Sequence, residues 1–196
     1  MLDFDTGDTK ENIFNAAKKE FLEKGYKDAS LRHICSEAGV TTGALYFFFK
    51  NKEDILDKIL EPLIDGYRKM VRNLFKGNDA EKKSWSGESQ LIEYLYQNRE
   101  AAIILIKCRR GTKYEEIFES IYNGMKYGFK SLFRTNGIND VDDSFLDILA
   151  SMKMEGYLNM LKGDYTLEEI QDLAEKITAY WDSGFFGLVE KMKGKF

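Results

Sequence analysis

Ser30–Lys52 reads SLRHICSEAGVTTGALYFFFKNK, two short helices around a tight turn followed by the capped start of a third. Leu31, Ile34 and Cys35 recur at helical spacing behind Ser30, a good N-cap. Gly39 tolerates the left-handed conformation that ends a helix, so the chain turns there. Thr41 or Thr42 then caps a second, very short helix through Phe48. Two helices at a steep angle around a glycine-containing turn form a helix-turn-helix, whose second helix fits the DNA major groove.

Outward from this stretch, the periodicity predicts helices throughout. Ile13, Ala16, Ala17, Phe21 and Leu22 make an apolar stripe over residues 9–24, with Asp8 and Glu11 as a capping box and Gly25 as the stop. Asn51 caps a fourth helix whose apolar stripe runs to Phe75, with Glu53 and Asp54 set against its N-terminal dipole. Pro62, the only proline, falls inside it and removes one helical hydrogen bond. It predicts a kink, or a hinge behind the N-terminal unit. Residues 77–89 are polar and aperiodic and predict a loop. Four helices follow: 90–109, 113–135 behind a Thr112/Glu115 capping box, 143–162 stopped by Gly163, and 167–192 behind a Thr166/Glu169 capping box.

Bulk composition narrows the classes. With 196 residues, 43% hydrophobic and 32% charged, the chain has the composition of a globular all-α protein. It carries no span of membrane length and opens without a signal-peptide core, so a cytoplasmic protein is expected. Cys35, Cys108 and the single His33 offer no metal-ligand spacing, and two distant thiols predict no disulfide. His33 reads as a surface or phosphate-neighbouring side chain, Cys35 as packing. No nucleophile–base set or phosphate loop appears, so no enzyme and no cofactor are expected. The net charge of −4 does not point to nucleic acid, and residues 1–76 balance thirteen basic against thirteen acidic residues. Only around the motif do Lys27, Arg32, Lys50 and Lys52 outnumber Asp28 and Glu37.

The last two helices carry long apolar stripes. Phe145, Leu149, Met152 and Gly156 share one; Ile170, Leu173, Ile177, Trp181, Gly184 and Leu188 share the other. With small residues allowing close approach, they predict either intramolecular core or a dimer interface. Tyr94, Tyr114, Phe118, Tyr122, Met125, Tyr157, Trp181 and Phe185 are candidates to line an apolar ligand pocket, against the alternative that they are core. Cys108 joins the ligand-contact candidates: Lys107, Arg109 and Arg110 around it would favour a reactive thiolate, against a buried, inert thiol. With Arg99, these cations leave an anionic ligand open.

From about Thr9 to Leu56 the chain closely resembles the DNA-binding domain of TetR-family transcription regulators. The resemblance rests on F-x-x-x-G-Y at Phe21–Tyr26, A-S-L-R-H-I at Ala29–Ile34, E-A-G-V-T-T-G-A-L-Y at Glu37–Tyr46 and F-K-N-K-E-D-I-L at Phe49–Leu56. The C-terminal part resembles the family in helical layout only. The resemblance implies a homodimer whose recognition helices meet two half-sites of a palindromic operator, about 34–36 Å apart. It also implies a C-terminal domain that binds a small molecule, and a dimer built from helices 143–162 and 167–192.

Within the motif, Thr41, Thr42 and Ala44 bring short side chains to base edges, and Gly43 lets the backbone approach the duplex. Tyr46 matches the family's phosphate-contacting tyrosine, Phe47 is the next exposed aromatic, and Lys52 matches a basic residue that binds phosphate. Ser30 and Arg32 are further phosphate candidates. Phe48 departs from the pattern: where relatives often carry His or Tyr, it cannot donate to phosphate. Leu45, Phe49, Ile34, Cys35 and Ala38 are assigned to the core.

Together these imply a helix-turn-helix domain over 1–52 and a ligand-binding and dimerisation domain over 53–196. The expected function is a ligand-responsive regulator, a repressor released from double-stranded operator DNA by a small-molecule effector. The alternative is an architectural or nucleoid protein without an effector. In the dimer, Phe145, Leu149, Met152, Gly156, Ile177, Trp181, Gly184 and Leu188 would meet the second copy.

Overall fold

The computed structural model describes residues 6–74 and 88–194. Among these residues the chain is all-α: α1 (Thr6–Asp28), α2 (Leu31–Glu37), α3 (Thr42–Phe48), α4 (Lys52–Leu74), α5 (Glu88–Gln97), α6 (Arg99–Cys108), α7 (Tyr114–Thr135), α8 (Asp143–Lys162) and α9 (Leu167–Lys193). The predicted loop over 77–89 lies outside the described residues up to 87; Glu88 already opens α5.

Packing groups these helices into two compact units. The first holds the described residues up to Gly66 together with Asn98–Glu115; the second holds the described parts of Tyr67–Gln97 and Glu116–Phe196. Two kinds of contact hold the first unit together. The start of α4 contributes Ile55, Leu56, Ile59 and Leu60, all buried, and α6 packs along α1.

In the first unit, Ile13, Ala17 and Phe21 of α1 are fully buried, as are Ile34 of α2 and Leu45 of α3. Burying each large aliphatic or aromatic side chain contributes about 1.5–3 kcal/mol. The helical stretch assigned to α1 contains a kink at Gly25, whose φ of 72° lies in the left-handed region. A Cβ there would stand 3.4 Å from the carbonyl oxygen of Lys107, so the bare glycine also lets α6 come close. Asp8 stands in the first turn of α1 rather than before it, so it interacts with the helix dipole and is not the expected cap.

The second unit has two apolar clusters. Ile92, Tyr157, Met160, Ile170 and Ala174 form one, with Tyr96, Met125, Leu173 and Ile177 against it. Phe129, Phe133, Leu146, Phe185 and Val189 form the other, edged by Phe145, Leu149, Trp181 and Leu188 among others.

Local signals place most boundaries well. The Thr166/Glu169 capping box forms with both of its bonds, and Gly163 caps α8. Two expectations need correction. The single helix predicted over 90–109 is broken at Asn98, whose φ of −113° and ψ of 27° are not helical. At α7 the Thr112 hydroxyl donates to the carbonyls of Cys108 and Arg109 and accepts from the Tyr114 N–H. The Glu115 carboxylate reaches the N–H of Gly111, so the expected capping box is replaced by a tighter turn. Helix α4 runs through Pro62 without a break in its assignment.

Candidate nucleic-acid interface

The turn between α2 and α3 is built as the residues require. Gly39 takes φ 67°, the Val40 N–H donates to the Cys35 carbonyl at 2.9 Å, and that of Ala38 to Ile34 at 3.0 Å. Ser30 caps α2, its hydroxyl accepting from the His33 N–H at 3.4 Å. Thr41 caps α3 by accepting from the Ala44 N–H at 3.2 Å. Asn51 caps α4 by accepting from the Asp54 N–H at 2.8 Å, and Asp54 in turn accepts from the Lys50 N–H at 2.8 Å. Lys58 and this backbone donor hold the Asp54 carboxyl below its ordinary range.

Helix α3 therefore has a fixed inner face and a presented outer one. Leu45 is fully buried and Phe49, which ends the helix, is 1% exposed. On the outer side Thr41, Thr42 and Gly43 are exposed, Tyr46 is 56% exposed and Phe47 78%. Ala44 is half-buried. Thr42 with Tyr46, and Gly43 with Phe47, stand one turn apart on this face. Phe48 is half-buried and packs edge-on against Phe47, with centroids 5.0 Å apart. A Cβ on Gly43 would meet Thr41 Oγ1 at 3.7 Å, ordinary contact, so the fold itself does not demand glycine there. Ser30 and Arg32 are exposed on α2.

Lys52, expected at phosphate, also has partners within the fold. Its ammonium donates to the carbonyls of Lys27 at 3.2 Å and Ala29 at 2.9 Å, and lies 4.8 Å from the Tyr26 ring centroid. Lys27 stands in the last turn of α1 and Ala29 just past it, a helix end where a cation is favourable. Lys52 thus ties the start of α4 to the C-terminal end of α1.

Sequence reasoning missed Glu20, which is 2% exposed on α1. Its Oε1 accepts from the Ser30 N–H at 2.9 Å and from Lys24 Nζ at 3.0 Å, and its Oε2 lies 2.7 Å from His33 Nδ1. Burial pushes this carboxyl upward, but the bonds from Ser30, Lys24 and His33 outweigh it and leave the group below its ordinary range. The available signal was a carboxylate set into the apolar stripe of α1, between Ala17 and Phe21.

The ligand candidates fall into both compact units. Cys108 and Tyr114 belong to the first. Tyr114 is 1% exposed and donates its hydroxyl to Asp57 Oδ1 at 2.8 Å; burial and that carboxylate push its phenol far upward. Cys108 corrects the thiolate expectation: burial pushes its thiol up to about 11. The neighbouring cations are turned away, Lys107 to the Leu22 carbonyl and Arg109 to that of Ile106.

Tyr94, Phe118, Tyr122, Met125, Tyr157 and Trp181 belong to the second unit. Tyr157 is buried in one apolar cluster with Met125 against it, and Trp181 edges the other. Tyr122 donates to the Asp147 carbonyl at 2.8 Å, with Ser151 Oγ at 2.9 Å, while Tyr94 and Phe118 are half-buried. Lys153 lies 5.7–5.9 Å from the ring centroids of Phe129, Tyr157 and Trp181. Of the dimer candidates, Phe145, Leu149, Ile177, Trp181 and Leu188 pack at cluster edges, Gly156 is half-buried, and Met152 and Gly184 are exposed. Ile148, Tyr180 and Phe186, which the stripes did not single out, are exposed by 56%, 69% and 50%.

Residues 13–59 match the model of the family described as bacterial regulatory proteins, tetR family. Over 56 residues the chain is 43% identical to the HTH-type transcriptional repressor BepR of Brucella suis, covering 29% of this chain and 27% of that protein. The matched segment thus spans about a quarter of that relative's length. In fold, the chain is similar to the regulator FadR of Bacillus subtilis in complex with stearoyl-CoA, with a TM-score of 0.56 and 21% identity over 86% of this chain and 96% of that one. It is also similar to a TetR-like transcriptional regulator from Rhodococcus sp. RHA1, with a TM-score of 0.61 and 11% identity over 90% and 96% of the two chains.

Proposed function

We propose that the chain, a TetR-family transcriptional regulator, acts as a homodimeric repressor released from a palindromic operator by a small-molecule effector. The outer face of α3 carries this reading: Thr42, Gly43, Tyr46 and Phe47 are presented to solvent by a helix whose other side is locked by Leu45 and Phe49. Thr41, Thr42 and Ala44 meet base edges, Tyr46 and Phe47 the backbone and thymine methyls, and Ser30 and Arg32 phosphates. Lys52 serves first as a brace for that surface and turns its remaining N–H toward the duplex. Residues 1–52 are the reading part and 53–196 the effector and dimer part. The chain works by binding, without catalysis, in the cytoplasm where its DNA lies.

Dimerisation uses α8 and α9, through Ile148, Met152 and Gly156 on the first and Tyr180 and Gly184 on the second. Phe145, Leu149, Ile177, Trp181 and Leu188 support that surface from the cluster edges. The effector is held in the second unit by Tyr94, Phe118, Tyr122, Met125, Tyr157 and Trp181, a view supported by the ligand of the FadR relative. Cys108 and Tyr114 act on the relay side of this response, since α6 packs on α1 and Tyr114 holds Asp57 of α4. Pro62 lets α4 flex between the two tasks.

A gel-shift or anisotropy titration with the DNA upstream of its own gene tests the reading. Tight, salt-sensitive binding, at least a hundredfold stronger than to an unrelated duplex, is expected. Equal affinity for both duplexes would instead assign an architectural role.

A further inference from the structure

His33 is absorbed by none of the roles above, yet its surroundings are unusually well defined. Its side chain is 45% exposed, while the carboxylate it meets, Glu20, is 1% exposed. At neutral pH a carboxylate only accepts hydrogen bonds, so the 2.7 Å contact requires the proton on Nδ1 of the imidazole. Bonding through Nδ1 fixes the ring plane and turns Nε2, on the far side of the ring, away from the protein interior. Ser30, whose N–H is held by the same carboxylate, and Arg32 stand in the same turn.

The charged groups around the ring are accounted for. On α1, Lys24 is bound to Glu20, and Lys19 pairs with Glu37 of α2 at 2.9 Å. Arg32 is the neighbouring cation on α2, and α3 carries no ionisable side chain except the phenol of Tyr46. A second proton on His33 would therefore face the buried Glu20 carboxylate inside and the Lys19-paired Glu37 carboxylate one turn along α2, and an anion outside would stabilise it further.

We propose that His33 is a DNA-phosphate contact: Glu20 aims the ring, and Nε2–H donates to a phosphate oxygen of the duplex as the imidazolium. The bond is made by the side chain itself, not by the amides of the short α2. Glu20 is a positioning residue, which also holds Ser30. The inference rests on the DNA-binding reading and adds to it a contact that takes up a proton on binding. Affinity should then fall as pH rises, because the contact needs the proton on Nε2.

The test is a salt and pH titration of full-length protein against the duplex upstream of its gene. At pH 6.5, His33→Gln should bind about three- to tenfold more weakly, and its slope of log K against log salt should be shallower by about 0.9. His33→Lys should restore the slope and abolish the pH dependence. The difference between wild type and His33→Gln should shrink as pH rises. Glu20→Gln, if it folds, should keep the Ser30 bond and move the loss of affinity to lower pH. Identical affinity and slope for wild type and His33→Gln at pH 6.5 would overturn the contact and leave the DNA-binding reading intact. A wild-type protein that binds no duplex at any pH would remove both.

Discussion

Helix α3 and the α8–α9 pair both expose large apolar side chains, but in different company. On α3, Tyr46 and Phe47 are exposed, with exposed Lys50 just past the helix and short polar residues and Gly43 one turn before them. On α8 and α9, Ile148, Met152, Tyr180 and Phe186 are interspersed with Gly156, Gly184 and Gly187, none of which has a neighbour among the described residues within 4 Å of an added Cβ. Aromatic rings near a cation suit a polyanion with methyl groups in its groove. Apolar side chains beside bare glycines suit the close approach of another helix. Exposure alone thus does not identify a partner; the neighbours do.

The largest effect expected from this contrast is on assembly. Met152→Glu combined with Tyr180→Glu places two charges on the α8–α9 face and should convert the dimer to monomers by sedimentation or light scattering, with operator affinity lost alongside. A variant that stays dimeric would assign that face to something other than the second copy.

Next in size is the seat of the reading helices. Glu20→Ala strips the Ser30 N–H, Lys24 and His33 of their common acceptor and should cost about 3 kcal/mol of stability by denaturant unfolding. The pH dependence has a definite sign. The Glu20 carboxyl titrates below its ordinary 4.5 in the folded protein, so its contribution is present above that pH and lost as pH falls through the lowered value. Stability of the wild type should fall more steeply on acidification than that of Glu20→Gln.

A smaller effect, confined to DNA, separates the two surfaces directly. Thr42→Arg and Tyr46→Ala should each weaken operator binding by about 2 kcal/mol, near thirtyfold, while melting temperature and oligomeric state stay unchanged. The smallest concerns Gly184. In a free helix, Gly184→Ala gains about 0.5–1 kcal/mol; at a tight helix–helix contact the added methyl should lower dimer stability instead. The sign of the change, read by thermal melting at two protein concentrations, reports whether the surface is covered.

Much of the fold could be read from local pattern. Ser30, Thr41, Asn51 and Thr166 cap the helices they precede, and Gly39 turns where a left-handed residue is needed. Leu45 and Phe49 lie inside while Tyr46 and Phe47 lie outside, as the spacing within a seven-residue helix requires. The sequence stripes on α8 and α9 were less informative. An apolar residue at helical spacing marks a buried face but not what buries it, and Phe145, Leu149 and Trp181 turned to their own clusters.

Caps, turns and the two-sidedness of a helix rest on interactions spanning three to five residues. The amino acids that make them are neighbours in the chain, so their pattern is visible in one dimension. The remaining contacts join residues that are far apart in the chain. Lys52 spends its ammonium on Lys27 and Ala29, twenty-five and twenty-three residues away; Cys108 stays a neutral thiol against the Phe21 carbonyl, eighty-seven residues away. Glu20 gathers Ser30 and His33 from the next helix. The direction in which a charge turns, and whether a thiol or carboxyl keeps its proton, depends on burial and on partners that only folding brings within reach.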